Sequence, residues 1–326
     1  MHLSTRINEK RLELPLINYM TELALEADAC GFGGISLTEH HLHENQGYQN
    51  SLLFACALAP RLKQTTIVLA TVNPAIHHPV RLVESINLID QLNGGRLVVG
   101  FGSGFKETDL VAFGRDLSIR GQLFEDGIRT VLDVWAFDGS KGPLEFQVGT
   151  DKGRIETPVN PSSYRKPHPI LARGTLNEAA AIETGKRGWA VLTAGKTPED
   201  AARQMSKYHA ALESSGHDAE TIRNARAWSS VGKAVHVAET DEQARAEATA
   251  FFKKNPGGTI ARNPDDMICG SVETVTRLMR AYADAGVGLM ICGLLIDVED
   301  KTILRRSLRM LQEEVFPKVT GSKVAA

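Results

Sequence analysis

Three titratable side chains in a row, Glu39-His40-His41, follow the apolar run Gly34-Ile35-Ser36-Leu37. An imidazole titrates near neutrality and can serve as general acid or base. Neighbouring residues at a strand end point to different sides. One histidine can therefore face a site while the other, with Glu39, supports it. Taken alone, such a pair is more often structural. A second pair stands in Asn73-Pro74-Ala75-Ile76-His77-His78-Pro79, where Pro79 suits the first turn of a helix and the histidines can simply fix the loop. Gly100-Phe101-Gly102-Ser103-Gly104 leaves a strand directly. Alternate glycines let backbone approach a ring or a phosphate, but the spacing is not the dinucleotide fingerprint, and a plain flexible loop explains it equally well. Ala172-Arg173-Gly174-Thr175-Leu176-Asn177 lies between a strand and a helix, where a guanidinium and exposed amides suit a phosphate monoester. His41-Leu42-His43, with His168 and Asp297 near other strand ends, offers a metal-dependent hydrolase as a further enzyme class. Against it, this H-x-H follows the second strand and runs into a loop.

The elements that must position these groups alternate regularly. Apolar runs at 32–37, 66–72, 96–100, 169–172, 189–193, 228–237 and 289–292 read as strands. Helical spacing marks 16–30, 50–62, 80–92, 120–136, 177–184, 198–216, 241–254, 271–285 and a closing helix to about Phe316. Continuous apolar runs point to a parallel sheet covered on both faces. With a weak first strand at 1–5, seven strands become eight, the number that closes a TIM (β/α)8 barrel. The first strand is short or truncated. An open doubly wound sheet is the competitor, but no phosphate loop follows its first strand. Residues 1–326 read as one barrel domain, with an excursion at 137–167 and a candidate mobile loop at 255–267. Barrel chemistry sits where strands end, which is where Glu39-His40-His41 falls.

The totals restrict the partners. A chain of 326 residues, 42% hydrophobic and 23% charged, can bury a large core. The net charge of −2, without a basic stripe, argues against nucleic acid. No run of about 18 apolar residues suggests a membrane span, and the start lacks a signal-peptide pattern, so a cytoplasmic protein is expected. Cys30, Cys56, Cys269 and Cys292 are scattered among apolar neighbours and read as structural thiols.

Together, T-E-H-H and the block from His78 to Gly104 (H-P-V-R-L-V-E-S-I-N-L-I-D-Q-L-N-G-G-R-L-V-V-G-F-G-S-G) resemble the bacterial luciferase-like monooxygenase family, as does the C-terminal I-C-G-S-V-E-T-V…Y-A-D-A-G-V-G-L-M-I-C-G…E-E-V-F-P. The resemblance implies a barrel that binds FMN at the carboxyl ends of its strands. Reduced FMN would come from a separate NAD(P)H:flavin reductase and react with O2 to a C4a-(hydro)peroxyflavin, which passes one oxygen atom to a small organic substrate. By position His40 matches the family's active-site histidine, and Glu39 and His41 match its neighbours. Ala70-Thr71 falls where relatives often carry a non-prolyl cis peptide beneath the flavin. The resemblance further implies a homodimer through the helices after the second and third strands.

Departures from the family pattern shape the other expectations. Ser103 stands where luciferase has a phosphate-binding arginine, and Arg173-Gly174 where it has a Glu-Ser pair. Positive charge then moves to Arg173, assisted by Arg120, Asn177 and the Gly102-Ser103 loop. The shortened 255–266 loop argues against light emission. A deazaflavin-dependent oxidoreductase and a non-catalytic flavin-binding relative remain as alternatives. Phe101, Phe105, Ile76 and Met267 are expected at the barrel mouth, where they would suit an apolar substrate or simply pack in the core.

Overall fold

The computed structural model describes residues 1, 13–42, 48–104, 106–255, 261–296 and 301–320. The first part of the chain runs α1 (Glu13–Ala29), β1 (Gly34–Leu37), α2 (Ser51–Leu58), β2 (Thr66–Val72), α3 (Pro79–Leu92) and β3 (Leu97–Phe101). Two helices follow, α4 (Glu107–Ala112) and α5 (Arg120–Ala136), then a hairpin of β4 (Leu144–Val148) and β5 (Asp151–Ile155). Alternation resumes with β6 (Ile170–Gly174), α6 (Glu178–Lys186), β7 (Ala190–Ala194), α7 (Pro198–Ser214), α8 (Ala219–Trp228), β8 (Ser230–Val237) and α9 (Asp241–Lys254). The chain closes with β9 (Ile268–Gly270), α10 (Val272–Asp284), β10 (Leu289–Gly293), α11 (Thr302–Met310), a π turn (Leu311–Val315) and α12 (Phe316–Thr320).

The main sheet is parallel, in the order β1-β2-β3-β6-β7-β8-β10, and curls into a half-barrel with helices outside. Strand β9 extends the upper half of β8 by parallel pairing, and the expected first strand at 1–5 lies, Met1 apart, outside the described residues. Among the described residues the first-strand position is held by Met1 alone. Its amino group donates to Gly34 O (2.7 Å), and its carbonyl accepts from Ser36 N (2.7 Å). No ladder joins β10 to β1 among the described residues.

Strand alternation sorts side chains into two layers. Ile67, Leu69, Val99, Phe101, Leu171 and Val191 face the helices and join the large core. Val68, Val98, Ala172, Ala190 and Leu192 face the barrel interior, with Trp228 packed against them. Burying each large aliphatic side chain contributes about 1.5–3 kcal/mol. This places Phe101, fully buried against Trp189, in the helix-facing layer and not at the mouth. Ile76 packs with Leu110 and Leu123, and Met267 with Ala234 and Ala248. These residues are core, because the loops that carry them are covered by helices. Phe105 lies outside the described residues.

Strand β2 and helices α5 and α9 have the bounds read from the sequence. Helices α4 and α8 and strand β9 were not anticipated. They are short; α8 (A-E-T-I-R-N-A-R-A-W) is mostly polar, with Ile222, Ala225 and Trp228 at three-residue spacing and its start capped by Asp218 on Thr221 N. The 137–167 excursion is the β4–β5 hairpin and a return segment fastened to α3. Asn87 Nδ2 donates to Pro161 O (2.8 Å), and Asp90 Oδ2 accepts from Ser163 Oγ (2.5 Å) and Arg165 N (2.9 Å). No helix among the described residues is long and apolar enough to cross a membrane.

Candidate active site

Parallel strands deliver their following loops to one rim, so the segments after β1, β2, β3 and β6 meet there. Glu39, two residues beyond β1, is the hub. Its side chain is 2% exposed. Oε2 accepts from Asn73 N (2.8 Å), at the end of β2. Oε1 lies 2.6 Å from His77 Nε2 and 3.3 Å from His41 Nε2. Burial pushes this carboxyl up, but the contacts with His41 and His77, the charge of His77 and the Asn73 amide outweigh it and hold it down to about 2. An ionised carboxylate only accepts, so His77 Nε2 carries a hydrogen and donates.

His41 packs its ring edge-on against Phe113 at the end of α4 (4.7 Å). His40 is half-buried at the same rim. Leu42 holds the left-handed backbone (φ 54°), a conformation a branched side chain rarely adopts, while its amide donates to Gln49 Oε1 (2.9 Å). Exposed apolar side chains on the segments after β1, β3 and β6 include Leu42, Val111, Phe113 and Leu176.

Next to this hub the interior is lined by small groups. The Ala70–Thr71 peptide is cis, at the position the resemblance implies. Both residues are half-buried within a strand otherwise closed from Ile67 to Val72. Glycines shape the space around Thr71. A Cβ on Gly102 would lie 2.1 Å from Thr71 Oγ1, and one on Gly174 would lie 2.6 Å from Thr71 Cγ2. The glycines expected to admit a ligand to the backbone thus make room, at Gly102 and Gly174, for the Thr71 side chain. Ser103 is half-buried beside them.

The expected anion pocket is arranged differently. Arg173 alternates with the interior residues Ala172 and Gly174, so it points outward, over the Phe124 ring (5.0 Å). There its guanidinium pairs with Glu125 Oε1 (3.0 Å), and Arg187 pairs with Glu125 Oε2 (2.7 Å). Asn177 caps α6, its Oδ1 accepting from Ala179 N (2.7 Å) and Ala180 N (3.3 Å). Two of the amides expected to be exposed are therefore taken. Arg120, the first residue of α5, is half-buried.

His77 was set aside in the sequence as a loop-fixing residue, yet it is Glu39's nearest partner. A signal did exist: two histidine pairs at the ends of adjacent parallel strands arrive at the same rim. His168 is not at this rim. It precedes β6, at the amino end, where its Nδ1 donates to Pro169 O (2.8 Å) and its ring lies on Trp135. His43 and Asp297 lie outside the described residues. Among the described residues no group of three His, Cys, Asp or Glu side chains has a metal-holding arrangement.

Known proteins extend this geometry. An alkanal monooxygenase alpha chain of a Kryptophanaron alfredi symbiont is 27% identical over 216 residues, 64% of this chain and 57% of that relative. The match thus spans just over half of that relative's length. Limonene 1,2-monooxygenase of Rhodococcus erythropolis is 24% identical over 326 residues, covering 92% of this chain and 81% of its own. Among solved structures, the oxygenating constituent of 3,6-diketocamphane monooxygenase from Pseudomonas putida, in complex with FMN, superposes with a TM-score of 0.81 at 17% identity, covering 96% of both chains. An F420-dependent secondary alcohol dehydrogenase superposes with a TM-score of 0.72 at 14% identity, covering 98% of this chain and 97% of its own. The family model for luciferase-like monooxygenases matches residues 2–288, and the chain belongs to that family.

Proposed function

We propose that the chain is the oxygenating component of a two-component monooxygenase. It would receive reduced FMN from an NAD(P)H:flavin reductase and insert one oxygen atom of O2 into a small apolar organic substrate. The observation that carries this reading is the partly accessible patch of Ala70 and Thr71, bordered by Gly102, Ser103 and Gly174, beside the Glu39–His41–His77 hub. A patch with few projecting side chains fits a planar ring system, and the hub supplies proton-carrying groups next to it.

Reduced FMN, when bound, supplies the two electrons needed to activate O2. The chain's own residues do the rest. Ala70 and Thr71, seated by Gly102 and Gly174, would hold the ring, and Val68, Val98 and Leu192 would close the interior against water from below. His40 is the acid–base group at the rim, and Glu39 with His41 forms its support. The phosphate is assigned to the edge of α5 and β6, where Ser103, Asn177 and Arg120 lie, with Arg173 recruited by exchange of its Glu125 contact. The exposed Leu42, Val111, Phe113 and Leu176 give the substrate an apolar approach. Leu53 on α2 with Leu88 and Leu92 on α3 are also exposed and support a homodimer through those helices.

The test mixes the anaerobically reduced FMN complex with O2 and candidate hydrocarbons, terpenoids and ketones in the presence of a flavin reductase. The expected result is reoxidation slower than that of free reduced FMN, with one atom of labelled oxygen in the product. Reoxidation at the free rate without any oxygenated product sinks the reading. A second reading, a deazaflavin-dependent oxidoreductase, is favoured by the likeness to the F420-dependent dehydrogenase. Tighter binding of reduced F420 than of reduced FMN would select it.

A further inference from the structure

Trp189 stands at the entry to β7, at the amino end of the sheet, and is 8% exposed. Its indole N–H has no hydrogen-bond partner among the described residues, yet it is not sealed in the core. It opens on a cavity of about 390 Å³ between the segment entering β6, the turn entering β7 and the first turns of α8. A donor on a side chain this buried is seldom left unsatisfied. Arg187 lays its guanidinium over the Trp189 ring (5.4 Å) and lines the same space. Its Nη2 is given to Glu125, while Nε and Nη1 have no partner among the described residues. The Asn224 amide, on α8, also lines the cavity and is likewise unpaired among them. Around the rim Arg165, Lys166 and Arg187 outnumber Asp218 and Glu220. Glu220 is engaged by Arg165 (3.2 Å), and Asp218 caps α8 through Thr221 N (2.7 Å). Pro167, Pro169, Leu171 and Ala225 supply an apolar wall.

These walls are fixed before any ligand arrives. A Cβ on Gly188 would lie 2.8 Å from Thr221 Cγ2, so the turn into β7 packs hard on α8. His217 Nε2 donates to Lys186 O (3.0 Å), and Arg165 N donates to Asp90 Oδ2 (2.9 Å). A preformed pocket spares the ligand the cost of ordering it. A guanidinium beside a fixed neutral donor suits an oxyanion, the apolar wall suits a compact hydrocarbon body, and the volume falls in the usual range for small ligands, about 300–1,000 Å³. We propose that this cavity is a second binding site, for a small organic carboxylate with a compact apolar body, its oxyanion held by the Trp189 indole N–H, Arg187 and Asn224. It lies at the opposite end of the strands from the Glu39 hub and does not rest on the monooxygenase reading.

The test follows the indole N–H resonances of the full chain by ¹H–¹⁵N NMR as sodium benzoate is added. The chain has three tryptophans, so Trp189→Phe identifies its resonance by loss. Benzoate is expected to shift the Trp189 resonance saturably, with a Kd of about 1 mM or below. The neutral isostere benzamide is expected to bind about tenfold more weakly, the scale of one charge-assisted contact. Arg187→Gln, which removes the charge, and Asn224→Leu, which removes the amide and fills the space, are each expected to weaken benzoate by about tenfold. Saturating FMN should leave the benzoate shift in place. No shift at about 20 mM benzoate, equal affinity for benzamide, unchanged binding in both variants, or displacement of benzoate by FMN overturns the proposal. Failure of FMN to bind at all would count against the monooxygenase reading alone.

Discussion

Two buried carboxylates, at opposite ends of the same strand, are held in different ways. Asp28, near the end of α1, sits at the amino end of β1. It accepts from the backbone amides of Lys63 (2.9 Å), Gln64 (3.0 Å) and Thr65 (2.8 Å) and from the Thr65 hydroxyl (2.6 Å). Glu39 sits at the carboxyl end of β1 and is held by one amide and two imidazoles. Both carboxyls are held below their ordinary values, in each case because polar contacts outweigh burial. The difference lies in the partners. Amides and a hydroxyl do not titrate in the working range, so Asp28 can only fasten α1 to the turn before β2. Glu39 is instead held by side chains that can carry a proton, which suits the proton-handling role proposed for this rim. In barrels, the amino face carries stability and the carboxyl face carries chemistry.

Removing each carboxylate should separate these roles. Glu39→Ala leaves Asn73 N and His77 without their acceptor, and activity should fall by about 100-fold or more together with a stability loss of about 3 kcal/mol. Asp28→Ala should lose about as much stability, about 3 kcal/mol, while kcat/KM per folded molecule stays near wild type. Chemical denaturation and steady-state oxygenation read both. Equal activity losses in the two variants would erase the distinction.

Acid provides the next comparison. A folded-state pKa below the unfolded value contributes stability that is complete above the unfolded pKa and lost as pH falls through the folded one. For Glu39 the window runs from its ordinary 4.5 down to about 2. The stability lost across it is about 3 kcal/mol. Asp28 acts in the same direction below 3.8. Unfolding free energy should therefore drop less steeply in Glu39→Gln than in wild type between these limits. A matching slope would mean that Glu39 is not held ionised by the hub.

Packing at the carboxyl end supplies a smaller effect. Gly102→Ala drives a methyl into Thr71 Oγ1 and should destabilise by about 1–3 kcal/mol. Adding Thr71→Ala should recover part of that loss, as measured by thermal unfolding. Arg173→Ala should weaken FMN binding by about tenfold, the scale of one charge-assisted contact. Because Arg173 is already paired with Glu125, Glu125→Gln should strengthen binding in the same equilibrium dialysis assay. No change in either variant removes Arg173 from the phosphate site.

Much of the frame was legible from residue order. The β-branched run at Thr66–Val72 has no helical reading, and Asn93-Gly94-Gly95 stops α3 where expected, with Gly94 and Gly95 both at positive φ. The location of Glu39-His40-His41 beyond a strand end followed from the same periodicity. Other features were hidden for identifiable reasons. The contact of His77 with Glu39 Oε1 joins loops 38 residues apart along the chain. Strand β9 went unread because it is three residues long and pairs with the far half of β8.

Alternation of strands and helices, the ends at which chemistry collects and the identity of Glu39 as a carboxylate between polar loops belong to the amino-acid sequence. They depend on local periodicity and on neighbours along the chain. The outward turn of Arg173 into Glu125, the seat of Thr71 between Gly102 and Gly174, and the choice of His77 as Glu39's partner were decided only by the tertiary structure. Each depends on which face of a curled sheet looks inward and on the register between strands. Those are long-range quantities, set when the whole sheet packs against its helices.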